Sequence, residues 1–223
     1  MSSILPRLET LPEAQRFLWP QLSVLGPDFV LYGGTALSLQ VGGRKSVDFD
    51  FFTPNPVDNN HLAVSLPFLK GARLRQQAAN TATFAVGRED DIVAISFFGG
   101  LDFGRVGEPV RFSDNGVYAA GLMDLAAQKM RVIQQRAEAK DYMDIHTLLS
   151  AGITLELALG AASALFPGFN PTITLKALSY FKDVPGLAPA VQLDLTSAAS
   201  RVREIAQMPR LGGSLLPGSF AGE

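Results

Sequence analysis

The sequence predicts an α+β protein: a mixed β-sheet with flanking helices over residues 1–120, a helical domain over 121–210, and an irregular tail over 211–223. Three observations carry this. Before residue 120, short apolar runs alternate with period two and are separated by turn residues. From Leu122 onward the apolar period becomes helical. The last stretch, LGGSLLPGSFAGE, is rich in Gly, Ser and Pro.

Composition bounds the rest. The chain has 223 residues, 47% hydrophobic and 18% charged, which allows a sizeable core and excludes disorder over most of its length. Its formal net charge is −2, so a nucleic-acid partner would have to be held by a local patch and not by the overall field. There is no cysteine. That excludes a disulfide scaffold, thiolate zinc sites and cysteine nucleophiles, and it suits a reducing compartment. With His61 and His146 the only histidines, a histidine-rich metal site is excluded as well. The first residues, MSSILPRLETLPEAQ, lack a signal-peptide pattern. No run approaches the roughly 18 apolar residues of a membrane span. The expectation is a cytoplasmic protein with no membrane partner.

Taken in order, residues 7–25 predict one or two short helices broken near Pro20. A buried strand is expected at 29–32, a turn at Gly33-Gly34, and a helix over 35–40 ended by Gly42-Gly43. A second strand, 47–52, stops at Pro54. A helix is expected at 57–69. The run RLRQQAANTATFAVGREDDIVAISFFG alternates around turn signals at 79–80 and 89–91, which predicts a three-stranded antiparallel meander. VRF and GVYAA supply further short strands. Helices follow at 122–135, 139–150, 153–165, 172–182 and 193–207, the last with a stripe of Leu195, Ala198, Val202 and Ile205.

Chemistry concentrates on the second strand. Successive side chains of a strand alternate faces with a rise of about 3.3 Å. Asp48 and Asp50 therefore share a face about 6.6 Å apart, while Val47, Phe49 and Phe51 point to the core. Two carboxylates so placed suit a hard divalent cation with water and phosphate oxygens completing its shell. Gly33 and Gly34 would let the backbone approach a polyphosphate at a helix start. Thr35 suits either a helix N-cap or a phosphate contact.

The segment GGTALSLQVGGRKSVDFDFF resembles the first motif of the AbiEii/AbiGii-type toxin nucleotidyltransferases, within the DNA polymerase β-like nucleotidyltransferase superfamily. The segment LMDLAAQKMRVIQQRAEAKDYMDIHTLL resembles that family's later motif. The likeness spans about residues 28–150. It implies a nucleotidyltransferase-type sheet followed by a helical domain, NTP as substrate and Mg²⁺ as metal. Characterised relatives are toxins that add nucleotides to tRNA ends and are neutralised by a cognate antitoxin protein. By position, the resemblance implies that Gly33, Gly34 and Thr35 are the phosphate turn and Asp48 and Asp50 the metal pair. It gives Lys129 and Asp141 as later functional positions. One departure stands out: members of the wider superfamily commonly carry a third carboxylate on a following strand, where this chain has Ser96, although relatives within the toxin family often lack that acid too.

Read from the residues alone, Lys129 falls on the apolar stripe of its helix (Leu122, Leu125, Ala126, Met130, Ile133), and Arg136 continues it. Asp141 and Asp144 share a face with Ile145 and Leu148. Two readings stand. An inter-helix ion pair would fix packing, or Lys129 would meet phosphate with Asp141 orienting it or acting as base. Lys140 is expected to pair with Asp144 on the surface. Arg44 and Lys45 could touch phosphate but read better as a surface turn, Asp91 and Asp102 read as turn residues, and His146 as a helix-surface or satisfied core residue. Three functions follow from these readings: NMP transfer from NTP to an acceptor hydroxyl of RNA or tRNA, transfer to a small molecule, or a silent interaction protein of the same fold.

Overall fold

Phe49 and Phe51, both 0% exposed, anchor the middle of an eight-stranded mixed sheet in the computed structural model, which describes residues 2–87, 91–211 and 215. The strands are β1 (Ser3–Ile4), β2 (Val30–Tyr32), β3 (Asp48–Phe52), β4 (Arg73–Ala78), β5 (Thr81–Val86), β6 (Val93–Phe98), β7 (Val110–Phe112) and β8 (Tyr118–Ala119). They lie in the order β1-β7-β8-β2-β3-β6-β5-β4. β3 runs antiparallel to β2 and parallel to β6. The expected meander is present, with β4, β5 and β6 antiparallel in turn. Asn80 makes its first corner at a φ of 55°, a conformation asparagine tolerates. The second expected turn, at 89–91, lies outside the described residues except for Asp91, as does the tail over 211–223 except for Leu211 and Leu215.

An aromatic column fills the buried face. Trp19, in the 3₁₀ run Trp19–Asp28 that follows α1 (Glu13–Leu18), stacks on Phe49 with ring centroids 6.1 Å apart. Phe49 contacts Phe51, and Phe51 contacts Phe97 of β6. The indole N–H donates to Asp114 Oδ2 at 2.8 Å, so its one polar atom is satisfied although the side chain is buried. The helix after β2, α2 (Gly33–Val41), ends at Gly42 with a φ of 87°. There the Gly42 N–H closes the last turn onto the Ser38 carbonyl. The helix expected at 57–69 is two pieces, α3 (Asn59–Ser65), capped by the Asp58 carboxylate, and a 3₁₀ turn at Pro67–Leu69.

The chain divides into two compact units. The first holds the sheet and comprises residues up to Gly104 together with Glu108–Ala120; the second comprises Arg105–Gly107 and Gly121–Leu211. The helical unit contains α4 (Leu122–Val132), α5 (Ala139–Ser150), α6 (Leu155–Leu165), α7 (Pro171–Ala177) and α8 (Pro189–Arg201). α5 has the expected bounds. α8 begins and ends earlier than its stripe suggested, because Pro189 at its first turn has no N–H to leave unsatisfied. Val202 and Ile205 therefore lie beyond the helix. Among the described residues, no single helix is long and apolar enough to cross a membrane.

Asp124 ties Arg105–Gly107 to this unit. Its carboxylate, 2% exposed, accepts the N–H groups of Val106 and Gly107, each at 2.9 Å. Burial outweighs those two bonds and the charge of Arg105, and the carboxyl is pushed up to about 6. A carboxyl raised on folding adds stability below its unfolded value of 3.8 and loses it as pH climbs through about 6. The stability advantage of wild type over Asp124→Asn should therefore be largest near pH 4. It should shrink by on the order of 3 kcal/mol by pH 7, as read from urea unfolding across that range.

Candidate active site

Alternation along β3 puts Asp48 and Asp50 on the half-exposed face of the sheet and Phe49 and Phe51 on the buried face. Val47 departs from expectation. It is 67% exposed, because it precedes β3 and cross-strand pairing starts at Asp48. The adjacent helix start is held to this strand by specific bonds. Thr35 Oγ1 donates to the Asp48 carbonyl oxygen at 2.5 Å, so its hydroxyl joins helix to strand and does not cap α2, whose N-cap position is Tyr32. Gly33 and Gly34 are themselves the first helical residues rather than a separate turn.

The glycines are required by what lies against them. Gly33 has a φ of +74°, and a Cβ there would sit 2.8 Å from Asp50 Oδ2. A Cβ on Gly34 would meet Arg44 Nη2, and would lie 2.9 Å from Ser46 Oγ. Ser46, 3% exposed, donates to Asp48 Oδ1 at 3.0 Å. The structure thus gathers Gly33, Gly34, Thr35, Asp48 and Asp50, as the sequence led us to expect, and adds Arg44 and Ser46. Their signal was present in the sequence: Arg44, Ser46, Asp48 and Asp50 recur at every second residue. Reading Arg44 and Lys45 as a surface turn separated Arg44 from the strand that follows, and Ser46 was not singled out.

The site has hard oxygen donors and a cradle that a side chain would fill, which fits a divalent cation bound with phosphate. Among the described residues there is no cluster of three or more His, Cys, Asp or Glu. Asp48 and Asp50 would then share the ion with water and ligand oxygens. On β6, Ser96 pairs in register with Asp50, and its hydroxyl lies 3.1 Å from that of Thr83 on β5. That position carries no acid.

The remaining expected residues lie in the helical unit. Lys129, 5% exposed, reaches Asp141 Oδ1 at 2.8 Å and Asp144 Oδ2 at 2.6 Å. Arg136 lies past the end of α4 and grips Asp141 from the other side at 2.8 Å and 3.2 Å. Burial works to raise the Asp141 carboxyl, but the Arg136 hydrogen bond and the Lys129 charge together hold it below the usual carboxylate range. Lys140 pairs with Glu138 at 2.8 Å and not with Asp144, because Asp144 is 2% exposed and turned toward Lys129. His146 makes a 2.9 Å contact with Asp194 of α8, at the edge of a groove of about 550 Å³ that holds none of the other expected residues.

With the geometry in place, comparison with known proteins is informative. A family model for the nucleotidyl transferase AbiEii toxin of type IV toxin–antitoxin systems matches residues 16–204. An uncharacterised protein of Aquifex aeolicus (strain VF5) is 32% identical over 159 residues, covering 70% of this chain and 75% of that one. A crystal structure of a putative nucleotidyltransferase from H. pylori superposes with a TM-score of 0.55 at 17% identity, over 84% of this chain and 92% of its own. MenT4, a nucleotidyltransferase toxin from Mycobacterium tuberculosis H37Rv, superposes with a TM-score of 0.58 at 15% identity, over 85% of each chain. At these identities the two structural likenesses speak for a nucleotidyltransferase fold.

Two substitutions probe these arrangements. Gly33→Ala imposes a left-handed φ on a residue with a Cβ and pushes on Asp50. It should lower the unfolding free energy by about 1–3 kcal/mol in urea titration. Lys129→Met leaves Asp141 and Asp144 buried with less compensation and should cost about 3–5 kcal/mol. A loss under 1 kcal/mol for Lys129→Met would show that its ion pairs do not hold α4 to α5.

Proposed function

Because this chain belongs to the family of AbiEii nucleotidyl transferase toxins of type IV toxin–antitoxin systems and is accordingly a nucleotidyltransferase, we propose that it transfers NMP from an Mg²⁺-bound NTP to a hydroxyl of an RNA acceptor, tRNA being the expected one. The observation that supports this most directly is the packing of the Asp50 carboxylate over Gly33. It puts oxygen donors for a cation beside backbone able to meet phosphate. In the reaction the acceptor oxygen bonds to the α-phosphorus, the bond to the bridging oxygen breaks, pyrophosphate leaves, and the hydroxyl proton passes to solvent water.

Asp48 and Asp50 are the residues that would hold Mg²⁺, which supplies charge neutralisation on the phosphates when bound. The chain's own groups do the positioning. Gly33 and Gly34 allow close approach of phosphate to the start of α2. Arg44, against Gly34, adds a fixed positive charge there, and Ser46 holds the Asp48 carboxylate in orientation. Thr35 contributes by fixing helix to strand. In this reading Lys129 holds α4 to α5 through its two ion pairs and stands at the family's later functional position. Asp141 is an orienting group for Lys129, since a carboxyl bound by two cations and held low in pKa is a poor proton acceptor at neutral pH. A cognate antitoxin is the protein partner in keeping with the family.

Incubation with Mg²⁺, α-labelled NTPs and total tRNA should label an RNA species. Asp48→Ala should lower the rate about 100-fold or more, because a metal supplies several kcal/mol and each 1.36 kcal/mol is a factor of ten. Labelling that persists in Asp48→Ala would remove the metal pair from the mechanism. Labelling of small hydroxylated compounds and not of RNA would favour the small-molecule acceptor.

A further inference from the structure

We propose that the outer edge of the sheet, strand β4, binds the sugar–phosphate backbone of the acceptor RNA, with Arg73 and Arg75 as its phosphate contacts. The inference rests on the transfer reading above and adds to it the place where the acceptor lies. Between Asp58 and Glu89 the sequence contains Lys70, Arg73, Arg75 and Arg88 and no acidic residue. In a chain with net charge −2 this is a local reversal of sign. All six residues of β4 are exposed. Arg73 and Arg75 make no ion pair among the described residues.

Register gives this strand a defined relation to the carboxylates. Asp48 pairs with Ala94, Ala94 with Ala85, and Ala85 with Arg73. Asp50 pairs with Ser96, Ser96 with Thr83, and Thr83 with Gln76. Residues paired across a ladder project to the same face, so Arg73 and Gln76 share the face of Asp48 and Asp50. An irregularity between Leu74 and Gln76 inserts Arg75 as an extra residue beside Gln76, opposite Thr83. Both arginines thus flank the row that leads to Asp50. Strands are about 4.8 Å apart, so three spacings separate β3 from β4 by about 14 Å. The residues between are short: Thr83 and Ala94 are half-buried and Ser96 and Ala85 buried, so an extended chain would cross over the first two. A single strand whose terminal hydroxyl is at the carboxylates would have phosphates a few nucleotides back at the arginines.

Charged residues on an edge strand also discourage sheet-to-sheet aggregation, and the test separates the two roles. Arg73→Ala/Arg75→Ala is compared with Arg73→Lys/Arg75→Lys and wild type. The measurements are NTP KM, RNA acceptor KM, and anisotropy of a fluorescent single-stranded RNA over a salt series. The alanine pair should raise acceptor KM about tenfold at low salt with NTP KM unchanged. It should also flatten the slope of log affinity against log salt by about 1.4, two contacts at about 0.7 each. The lysine pair should keep that slope. Normal acceptor KM and slope in the alanine pair, with or without aggregation, overturns the assignment and points to an edge-protecting role or an acidic protein partner. If wild type labels no RNA, the transfer reading fails by itself. The anisotropy slope then decides this inference alone, and an identical slope in wild type and alanine pair overturns it.

Discussion

The hydrogen bond from Thr35 Oγ1 to the Asp48 carbonyl, at 2.5 Å, joins the first turn of α2 to the first residue of β3. A helix opening on two glycines has little local tendency to start where it does, and its N-cap residue, Tyr32, makes no side-chain cap. Tertiary bonds must therefore set its origin. Once Thr35 is tied to Asp48, the backbone of Gly33 and Gly34 is brought under Asp50, Arg44 and Ser46. The missing side chains of both glycines become a packing requirement as well as a conformational one. The bond that fixes the start of α2 thus also sets which residues gather against the two glycines.

The second constraint is the one-sided burial of β3. Phe49 and Phe51 belong to a column of rings running from Trp19 to Phe97. A one-residue slip in register would bury both aspartates and expose both rings. Burying an unpaired carboxylate is far costlier than any gain from repacking, so the carboxylate face is determined by the apolar face. The helical unit applies the opposite strategy. There Lys129, Asp141 and Asp144 are buried together, which is tolerable because each charge has a partner within 2.8 Å.

Period and composition made much of this legible in the sequence. The β3 alternation, the meander, the bounds of α5 and the inward Lys129 all follow from local patterns. What escaped depends on contacts between distant segments. Nothing local says that Arg105–Gly107 goes with the helical unit, since two backbone N–H groups on a single buried carboxylate hold it there. Thr35 has the composition of an N-cap, yet a strand thirteen residues away takes its hydroxyl. Lys140 has an acid at i+4, but Asp144 was already claimed by a lysine on another helix. Sequence spacing gives the neighbours a side chain might have; packing chooses among them.

Ser96 shows how far the site can depart from the wider superfamily and still be chemically coherent. A carboxylate at that register would stand beside Asp50 on the adjoining strand and add a third negative charge to a site with, among the described residues, no group of three or more candidate metal ligands. The hydroxyl found there is instead engaged with Thr83, which rigidifies the floor between β3 and β5 without adding charge. Phosphoryl transfer asks little covalent chemistry of the protein; its barrier is lowered chiefly by alignment and by charge placed on the phosphates. Under the proposed transfer, Gly33, Gly34, Arg44 and the two aspartates would supply that alignment from positions fixed by close packing. In that proposal a strong base on β6 would be dispensable, with the hydroxyl proton passing to water.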